Sequence, residues 1–438
     1  MRHTFFGGVC PASHKNLTQK KPISPLDEIP ELVTIPLRAS ADEMAVPLVQ
    51  PGDHVQVGQP IAQVEKSGLT LHASLSGEVE DVKDCPHPWG GLCPALVIRS
   101  DGQETPWPDR PDALTPEQVN LSTLLERVNE AGIVGMGGDS RSIANKLRKA
   151  EGKITYIIVN AAECEPYVTA DHRLLLEHAD QLLLCTQVLS RCLRATRVAV
   201  VTQGDKLNAA EMIERRVQLH SGTTKVYTLR TRYPLGSEKQ IIQTVTGQEL
   251  KHGASPLEAG CLVLNVATVY AISQALFDGK ALTHRAVTVS GGAITRPRNL
   301  WVPIGTPLST LLKECGQLKD GAAQLLTGGV MMGRPVEDLN TPICKDTNCF
   351  IALSDAERKD GVETTCIRCG KCAASCPMHL VPTFIAQALR QGDMAQLKKL
   401  HVEDCLSCGC CSFVCPANIP LVELVHQAGE EIEKGGVQ

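Results

Sequence analysis

Hydrophobic and polar positions change rhythm several times along the 438 residues, and each change marks a different kind of element. From Leu32 to about Ser100, short β-branched runs alternate with turn residues, as in a small β-domain. Beyond it ITYIIVNAA (154–162), TRVAVVTQG (196–204), KVYTL (225–229) and CLVLNVAT (261–268) are continuous apolar runs that read as buried strands. Between them, stretches such as DHRLLLEHADQLLLCTQVLSRCL (171–193) repeat apolar residues at helical spacing. Strands alternating with helices predict a mostly parallel sheet covered on both faces. Residues 285–316 then read as a β-then-helix unit, and GGVMMGRPV (328–336) as a loop returning into a strand. Residues 1–30, rich in Pro, Lys and Ser, read as an extended arm, and TPWPDRPDALTP (105–116) as a linker. The longest apolar stretch, Cys261 to Phe277, is interrupted by Asn265, Thr268, Ser273 and Gln274 and is too short to span a bilayer.

The pattern predicts an α/β multidomain chain: an arm (1–30), a β-domain (31–104), an α/β domain (118–280), a further β unit (284–336), a cysteine-rich module (360–420) and a tail (421–438). The centre of the first β-domain, residues 51–82, is similar to a biotinyl/lipoyl-type barrel, with G-D-x-V-x-x-G-Q, a hairpin and S-G-x-V. In carrier domains of that type a lysine at the hairpin tip holds the cofactor. Here the tip reads Glu65-Lys66-Ser67-Gly68, with Ser67-Gly68 where Asp-Lys is usual, so a structural or docking role is expected.

Chemistry concentrates first in CIRCGKCAASCP (366–377) and CLSCGCCSFVCP (405–416). Each is C-x-x-C-x-x-C-x-x-x-C-P, the ligand spacing of a bacterial two-cluster ferredoxin, in which the fourth cysteine serves the other cluster. Cys366, Cys369, Cys372 and Cys415 are expected to hold one [4Fe–4S] cluster, and Cys405, Cys408, Cys411 and Cys376 the second; Cys410 is off register. One run alone would also suit structural zinc; two in tandem point to single-electron transfer. A helical bridge, Pro382 to Leu400, joins them.

A second constellation is looser. In GIVGMGGDSRSIANK (132–146), Gly135, Gly137 and Gly138 would let backbone approach a phosphate at a helix start, although such glycines also serve plain turns. NAAECEPYVTADHR (160–173) follows a buried strand, placing Asn160, Glu163, Glu165 and Asp171 where open α/β sheets bind ligands. The competing reading is a solvated acidic loop with Asp171 as a helix N-cap. RYPLGSEKQII (232–242) adds Gly236, Glu238 and Lys239; the lysine either neutralises phosphate or pairs with a neighbouring acid.

A formal charge of −5, from 43 basic and 48 acidic residues without a basic run, argues against nucleic acid as partner. The cysteines outside the two runs, Cys10, Cys85, Cys93, Cys164, Cys185, Cys192, Cys261, Cys344 and Cys349 among them, show no disulfide framework. They read as small buried hydrophobes in a reducing compartment. Met1 to Gly8 contains no apolar run of a secretory signal.

These motifs together resemble the family of C subunits of the Rnf (Rsx) electron transport complex, a membrane ferredoxin:NAD oxidoreductase that couples electron flow to Na⁺ or H⁺ transport. The likeness runs through TFFGGVCPASHKNLT (4–18), HASLSGEV (72–79), NAAECEPYVTADHRLLLE (160–177), YPLGSEKQII (233–242), VTVSGGAITRP (287–297), GTPLSTLL (305–312), GGVMMG (328–333) and the first cysteine run. The central part is also similar to the flavin- and NADH-binding subunit of respiratory complex I. The resemblance implies a Rossmann-like domain holding FMN and NAD(H), a β-grasp (soluble-ligand-binding) domain, and two [4Fe–4S] clusters. It further implies a converter between two-electron and one-electron chemistry at the cytoplasmic side of the cell membrane, peripheral, beside other complex subunits that include a ferredoxin-like iron–sulfur protein. A soluble cobalamin- or amino-acid-reductase-linked relative, or an FMN-less iron–sulfur wire, would share much of this pattern. One departure is pointed. The family loop continues G-x-G-G-A-G-F-P-T, whereas this chain reads Gly135-Met136-Gly137-Gly138-Asp139-Ser140-Arg141-Ser142, placing a carboxylate near a phosphate, with Arg141 and Lys146 close enough in sequence to offset it.

Overall fold

A computed structural model describes residues 4–219, 224–251, 253–358 and 361–435. Residues 1–3 of the arm, 220–223 and 252 of the α/β region, 359–360 before the cysteine runs and 436–438 of the tail lie outside the described residues.

The first β-domain is built from a four-stranded sheet and a three-stranded sheet. The first runs Leu32–Pro36, Leu92–Ser100, Gly77–Pro86, His54–Val55; the second Val46–Pro47, Pro60–Gln63, Thr70–His72. Between them lie Val33, Ile35, Val55, Ile61, Leu69, Leu75, Leu96 and Ile98. The hairpin tip does not swing free, because Asn129 Nδ2 donates to the Ser67 carbonyl at 3.0 Å. Lys66 therefore sits on a docked turn.

The α/β region holds a four-stranded, wholly parallel sheet in the order Thr224–Leu229, Arg197–Gln203, Tyr156–Asn160, Cys261–Asn265. The apolar runs are continuous because each strand feeds two cores. Ile157 and Val159 pack into one face with Leu174, Leu189 and Val269, while Ile158 packs into the other with Ala199, Val201 and Ile241. Two boundaries differ from the sequence reading. Strand Cys261–Asn265 ends early, because the Asn265 side chain accepts from the Ala267 N–H at 2.8 Å and caps a helix, Val266–Phe277. The 171–193 stretch divides at His178 into Ala170–Glu177 and Ala179–Leu193.

The third sheet has six strands in the order Ile23–Pro25, Arg298–Pro303, His284–Ser290, Cys349–Ser354, Ala322–Thr327, Arg334–Pro335. It draws one strand from the arm and another from beyond residue 336. The arm is a seam rather than a loose extension. Gly8 N–H donates to the Ser375 carbonyl at 2.7 Å, and Val9 exchanges backbone bonds with Tyr233.

In the cysteine-rich module the same backbone is built twice. Arg368 and Ser407, Gly370 and Gly409, and His379 and Asn418 are matching left-handed positions, and helices Lys371–Ser375 and Cys410–Phe413 follow the glycines. The bridge consists of Pro382–Gln391 and Met394–Lys399, broken at left-handed Gly392.

Candidate functional site

The strand order reverses at Tyr156–Asn160: Arg197–Gln203 and Thr224–Leu229 add outward on one side of it, and Cys261–Asn265, later in the chain, adds on the other. At such a switch point the carboxyl ends of neighbouring strands open a crevice. A cavity of about 770 Å³ lies there, with Asn160 and Asn265 on its wall. Its size falls within the range of small-molecule sites.

Nine of the ten residues expected around a cofactor line this cavity: Gly135, Gly137, Gly138, Asn160, Glu163, Glu165, Asp171, Gly236 and Glu238. Lys239 does not; its ammonium lies 3.4 Å from Asp404 Oδ1, beside Cys405. Of the two sequence readings of this lysine, pairing with an acid is the one observed.

The glycine turn is closed by Gly135 N–H to the Arg141 carbonyl (2.8 Å) and Ser140 N–H to the Gly135 carbonyl (3.0 Å). Ser142 then caps helix Ile143–Ala150 through the Asn145 N–H. Gly138 has φ +107 with open space beside it, so its backbone is accessible and a side chain would be strained. Asp139 is exposed yet folds back over Gly135, where an added Cβ would collide with its carboxyl. Surrounding protein pushes the Asp139 pKa up, with Lys146 opposing. Lys146 itself pairs with Glu238 at 2.5 Å.

The carboxylates after Asn160 have separate partners. Glu163 accepts from the Asp171 N–H at 2.7 Å, and its other oxygen, 3.8 Å from the Lys15 ammonium, has no hydrogen-bond partner. Burial pushes the Glu163 pKa up, opposed by Lys15. Lys15 also donates to the Glu163 and Val168 carbonyls, which holds the loop shape. Glu165 accepts from Met331 N–H (3.0 Å) and Met332 N–H (3.1 Å), tying the strand end to the 328–333 loop; burial lifts its pKa to about 7. Asp171 accepts from Asn265 Nδ2 at 2.6 Å and its pKa is raised by burial. It is not the N-cap of its helix; Thr169 occupies that position.

Sequence reasoning missed Lys15, Asn265 and Asn348. Asn265 carried the same signal as Asn160, a polar residue closing an apolar run. Lys15 gave none, because its partners lie far along the chain. Asn348 lines the cavity with a buried side-chain oxygen that has no partner. The open glycine turn, the unpartnered Glu163 and Asn348 oxygens and the cavity volume fit a flavin mononucleotide.

The cysteine sets behave as crossed pairs of runs. Cys376 from the first run lines one small cavity together with Cys405, Cys408 and Cys411 from the second. Cys372 packs in an apolar cluster with Cys415, and Thr364 N–H donates to the Ala417 carbonyl at 2.9 Å, bringing the start of the first run beside the end of the second. Cys366 and Cys369 are exposed. Among the described residues no three His, Cys, Asp or Glu side chains close on a single metal ion. The donor chemistry fits iron–sulfur clusters: six of the eight thiols lie in apolar surroundings, and backbone N–H groups reach sulfur in both runs, Ser407 N–H on Cys405 Sγ (3.3 Å) and Arg368 N–H on the exposed Cys366 Sγ (3.4 Å). Of the remaining cysteines, Cys10 is exposed and Cys164 and Cys192 are half-buried, contrary to the uniform burial expected; Cys85, Cys93, Cys185, Cys261, Cys344 and Cys349 are buried. Cys408 and Leu406 line both the large cavity and the thiol-lined one, and Tyr233 Oη donates to the Cys408 carbonyl at 2.8 Å.

Four family models match in succession: an RnfC barrel sandwich hybrid domain at 3–103, a Nuo51 FMN-binding domain at 128–274, an SLBB domain at 286–335 and a 4Fe-4S dicluster domain at 365–419. The chain is 38% identical, over 91% of its length and 87% of the relative's, to the C subunit of the proton-translocating ferredoxin:NAD(+) oxidoreductase complex of Clostridium ljungdahlii. It is 38% identical to the C subunit of the ion-translocating oxidoreductase complex of Rhodobacter capsulatus, over 95% of this chain and 81% of that one. Among solved structures, NAD+-reducing [NiFe]-hydrogenase in the air-oxidized state aligns with a TM-score of 0.50 and 18% identity, over 64% of this chain and 54% of that one, a likeness of fold alone. With this coverage and identity, the chain belongs to the family of C subunits of ion-translocating oxidoreductase complexes.

Proposed function

We propose that this chain passes electrons between NAD(H), FMN and two [4Fe–4S] clusters as the peripheral, cytoplasm-facing subunit of a membrane ion-translocating ferredoxin:NAD oxidoreductase. Its partners are the other subunits of that complex, including a ferredoxin-like iron–sulfur protein. The observation that carries this reading is the shared wall: Cys408 and Leu406 separate the switch-point cavity from the pocket of Cys376, Cys405, Cys408 and Cys411.

In finer terms, the parallel sheet is Rossmann-like and the six-stranded sheet a β-grasp. FMN, when bound, supplies hydride exchange with a nicotinamide and release of single electrons. The residues supply position and environment. Gly138 leaves backbone open for the phosphate and Gly137 packs closely on Asn265, in the turn that leads into the N-terminus of helix Ile143–Ala150. The oxygens of Glu163 and Asn348 that lack partners offer acceptors to a ring edge or ribose. Glu165 closes the 328–333 loop over one side. Cys376, Cys405, Cys408 and Cys411 hold the inner cluster; Cys366, Cys369, Cys372 and Cys415 hold the outer one. Exposure of Cys366 and Cys369 puts that outer set at the surface, where a partner can reach it.

Protein purified without oxygen should contain close to eight iron atoms and one acid-released FMN per chain, with cluster absorbance bleached by NADH. An iron-free, zinc-loaded protein that still transfers electrons would overturn the reading.

A further inference from the structure

The proline-rich segment at 105–116 reads in sequence as a linker, yet it is laced to its neighbours. Val57 N–H donates to the Thr105 carbonyl and the Val57 carbonyl accepts from Trp107 N–H, both at 2.9 Å, while Leu114 N–H donates to the Leu276 carbonyl at 2.8 Å. Between this segment, the barrel, the α/β domain and the third sheet lies a second cavity of about 560 Å³. It shares no lining residue with the switch-point cavity.

Three features of this cavity are those of a ligand site. Two of the three tryptophans of the chain, Trp107 and Trp301, line it with the large apolar surface a planar ring packs on, Trp301 being braced by a parallel His284 ring at 6.4 Å and the edge of Tyr270. His72, 7% exposed, also lines it, and its Nδ1 has no hydrogen-bond partner. The other ring nitrogen donates to the Glu130 backbone carbonyl, and burial with Lys345 nearby lowers the His72 pKa to about 3. The ring is therefore neutral and Nδ1 is a lone-pair acceptor awaiting a donor. Leaving such an atom buried and unpaired is costly, so its partner is expected to enter with a ligand. Arg110, Arg127 and Lys280 line the wall against two carboxylates, Asp109 and Glu130, and none of the three cations is in an ion pair among the described residues. Arg127 is held toward the linker by its bond to the Asp112 carbonyl.

A planar ring carrying an N–H donor, joined to an anion, satisfies all three features. We infer that this second cavity binds a purine mononucleotide, its base against Trp107 and Trp301 with the exocyclic amino group donating to His72 Nδ1, and its phosphate toward Arg110, Arg127 and Lys280. This assignment is independent of the FMN reading, since the two cavities are separate. A site at the junction of four structural units would let the nucleotide set how firmly the barrel is held to the electron-transfer domains.

The test is AMP binding to the full, FMN-loaded chain by calorimetry, with adenosine and ribose 5-phosphate as probes lacking one half. The expected result is one AMP per chain, with each fragment binding at least tenfold more weakly. The surface double variant Arg110→Glu/Lys280→Glu should weaken AMP at least tenfold, while Lys146→Glu, at the first cavity, leaves AMP affinity unchanged. Absence of binding at millimolar AMP overturns the inference. So does AMP affinity that falls with Lys146→Glu but not with the double variant, or adenosine that binds as tightly as AMP.

Discussion

Asp139 is a departure from the loop that the family resemblance implies, and the geometry gives the departure a sign. Its carboxyl lies over Gly135 in the turn that would receive a phosphate, with Lys146 committed to Glu238 and Arg141 4.0 Å from Asp42. Two like charges about 5 Å apart repel by roughly 1 kcal/mol in water and several-fold more at the effective dielectric of a partly buried site. Asp139→Ala should therefore tighten FMN binding by roughly tenfold or more, since about 1.4 kcal/mol is a factor of ten; fluorescence titration of deflavinated protein measures it. Unchanged affinity would mean that the phosphate lies away from this turn. Glu165 gives a second prediction, in pH. Its pKa is raised to about 7, first by burial and against the Met331 and Met332 N–H groups. Between the ordinary glutamate value and about 7 the folded chain holds a proton that the unfolded chain has released, so stability falls as pH rises through that window. Glu165→Gln should flatten this slope in urea unfolding followed by circular dichroism. It should also cost roughly 1–3 kcal/mol, because an amide oxygen cannot serve both N–H groups that two carboxylate oxygens now accept. A slope identical to wild type would place the titration elsewhere.

At the level of elements, the two cysteine runs are a duplicated loop–helix whose fourth cysteine crosses to the other copy. Cys376→Ser is thus expected to remove the cluster beside the flavin cavity, although Cys376 belongs to the first run, and Cys415→Ser to remove the outer one. Electron paramagnetic resonance after NADH addition separates them: Cys376→Ser should abolish NADH-driven reduction of the remaining cluster, while Cys415→Ser leaves the inner signal intact. The reverse assignment would mean that each run holds its own cluster. The cysteine spacing was fully legible in the sequence because the ligands are local. Three strands of the parallel sheet were legible because both their faces are buried and periodicity there needs no knowledge of neighbours; the edge strand Thr224–Leu229, expected to be buried, is buried only at Leu229. What sequence could not show is everything made by distant segments meeting. Strand Ile23–Pro25 is three residues long and pairs in parallel with Arg298–Pro303, so no local pattern announces it. Lys15 reaches Glu163 across the arm, and the end of the apolar run at Asn265 became a helix through one capping bond. Tertiary contacts decided the first two cases and a local capping bond the third, not intrinsic propensity.

Across the whole molecule, the switch-point cavity and the two thiol sets run from the interior to the surface. The switch-point cavity shares Cys408 with the inner thiol pocket, and the outer set ends at exposed Cys366 and Cys369. Among the described residues no helix is long and apolar enough to cross a bilayer. The helix Val266–Phe277, which carries most of the longest apolar run, is buried against the parallel sheet and so is not available to lipid. Spanning would require about 20 apolar residues, and this helix has 12. On the proposed function, the chain is held at the membrane by contacts with partner subunits, which are interfaces between proteins and yield to conditions that leave a bilayer intact. In cells that make the whole complex, the chain should sediment with membranes and be released by alkaline carbonate without detergent. In cells lacking the partner subunits it should stay in the supernatant, with its iron content and NADH-bleachable absorbance unchanged. Immunoblots of the two fractions decide the matter: retention in carbonate-washed, partner-free membranes would require a lipid-binding surface on this chain and would end the peripheral assignment.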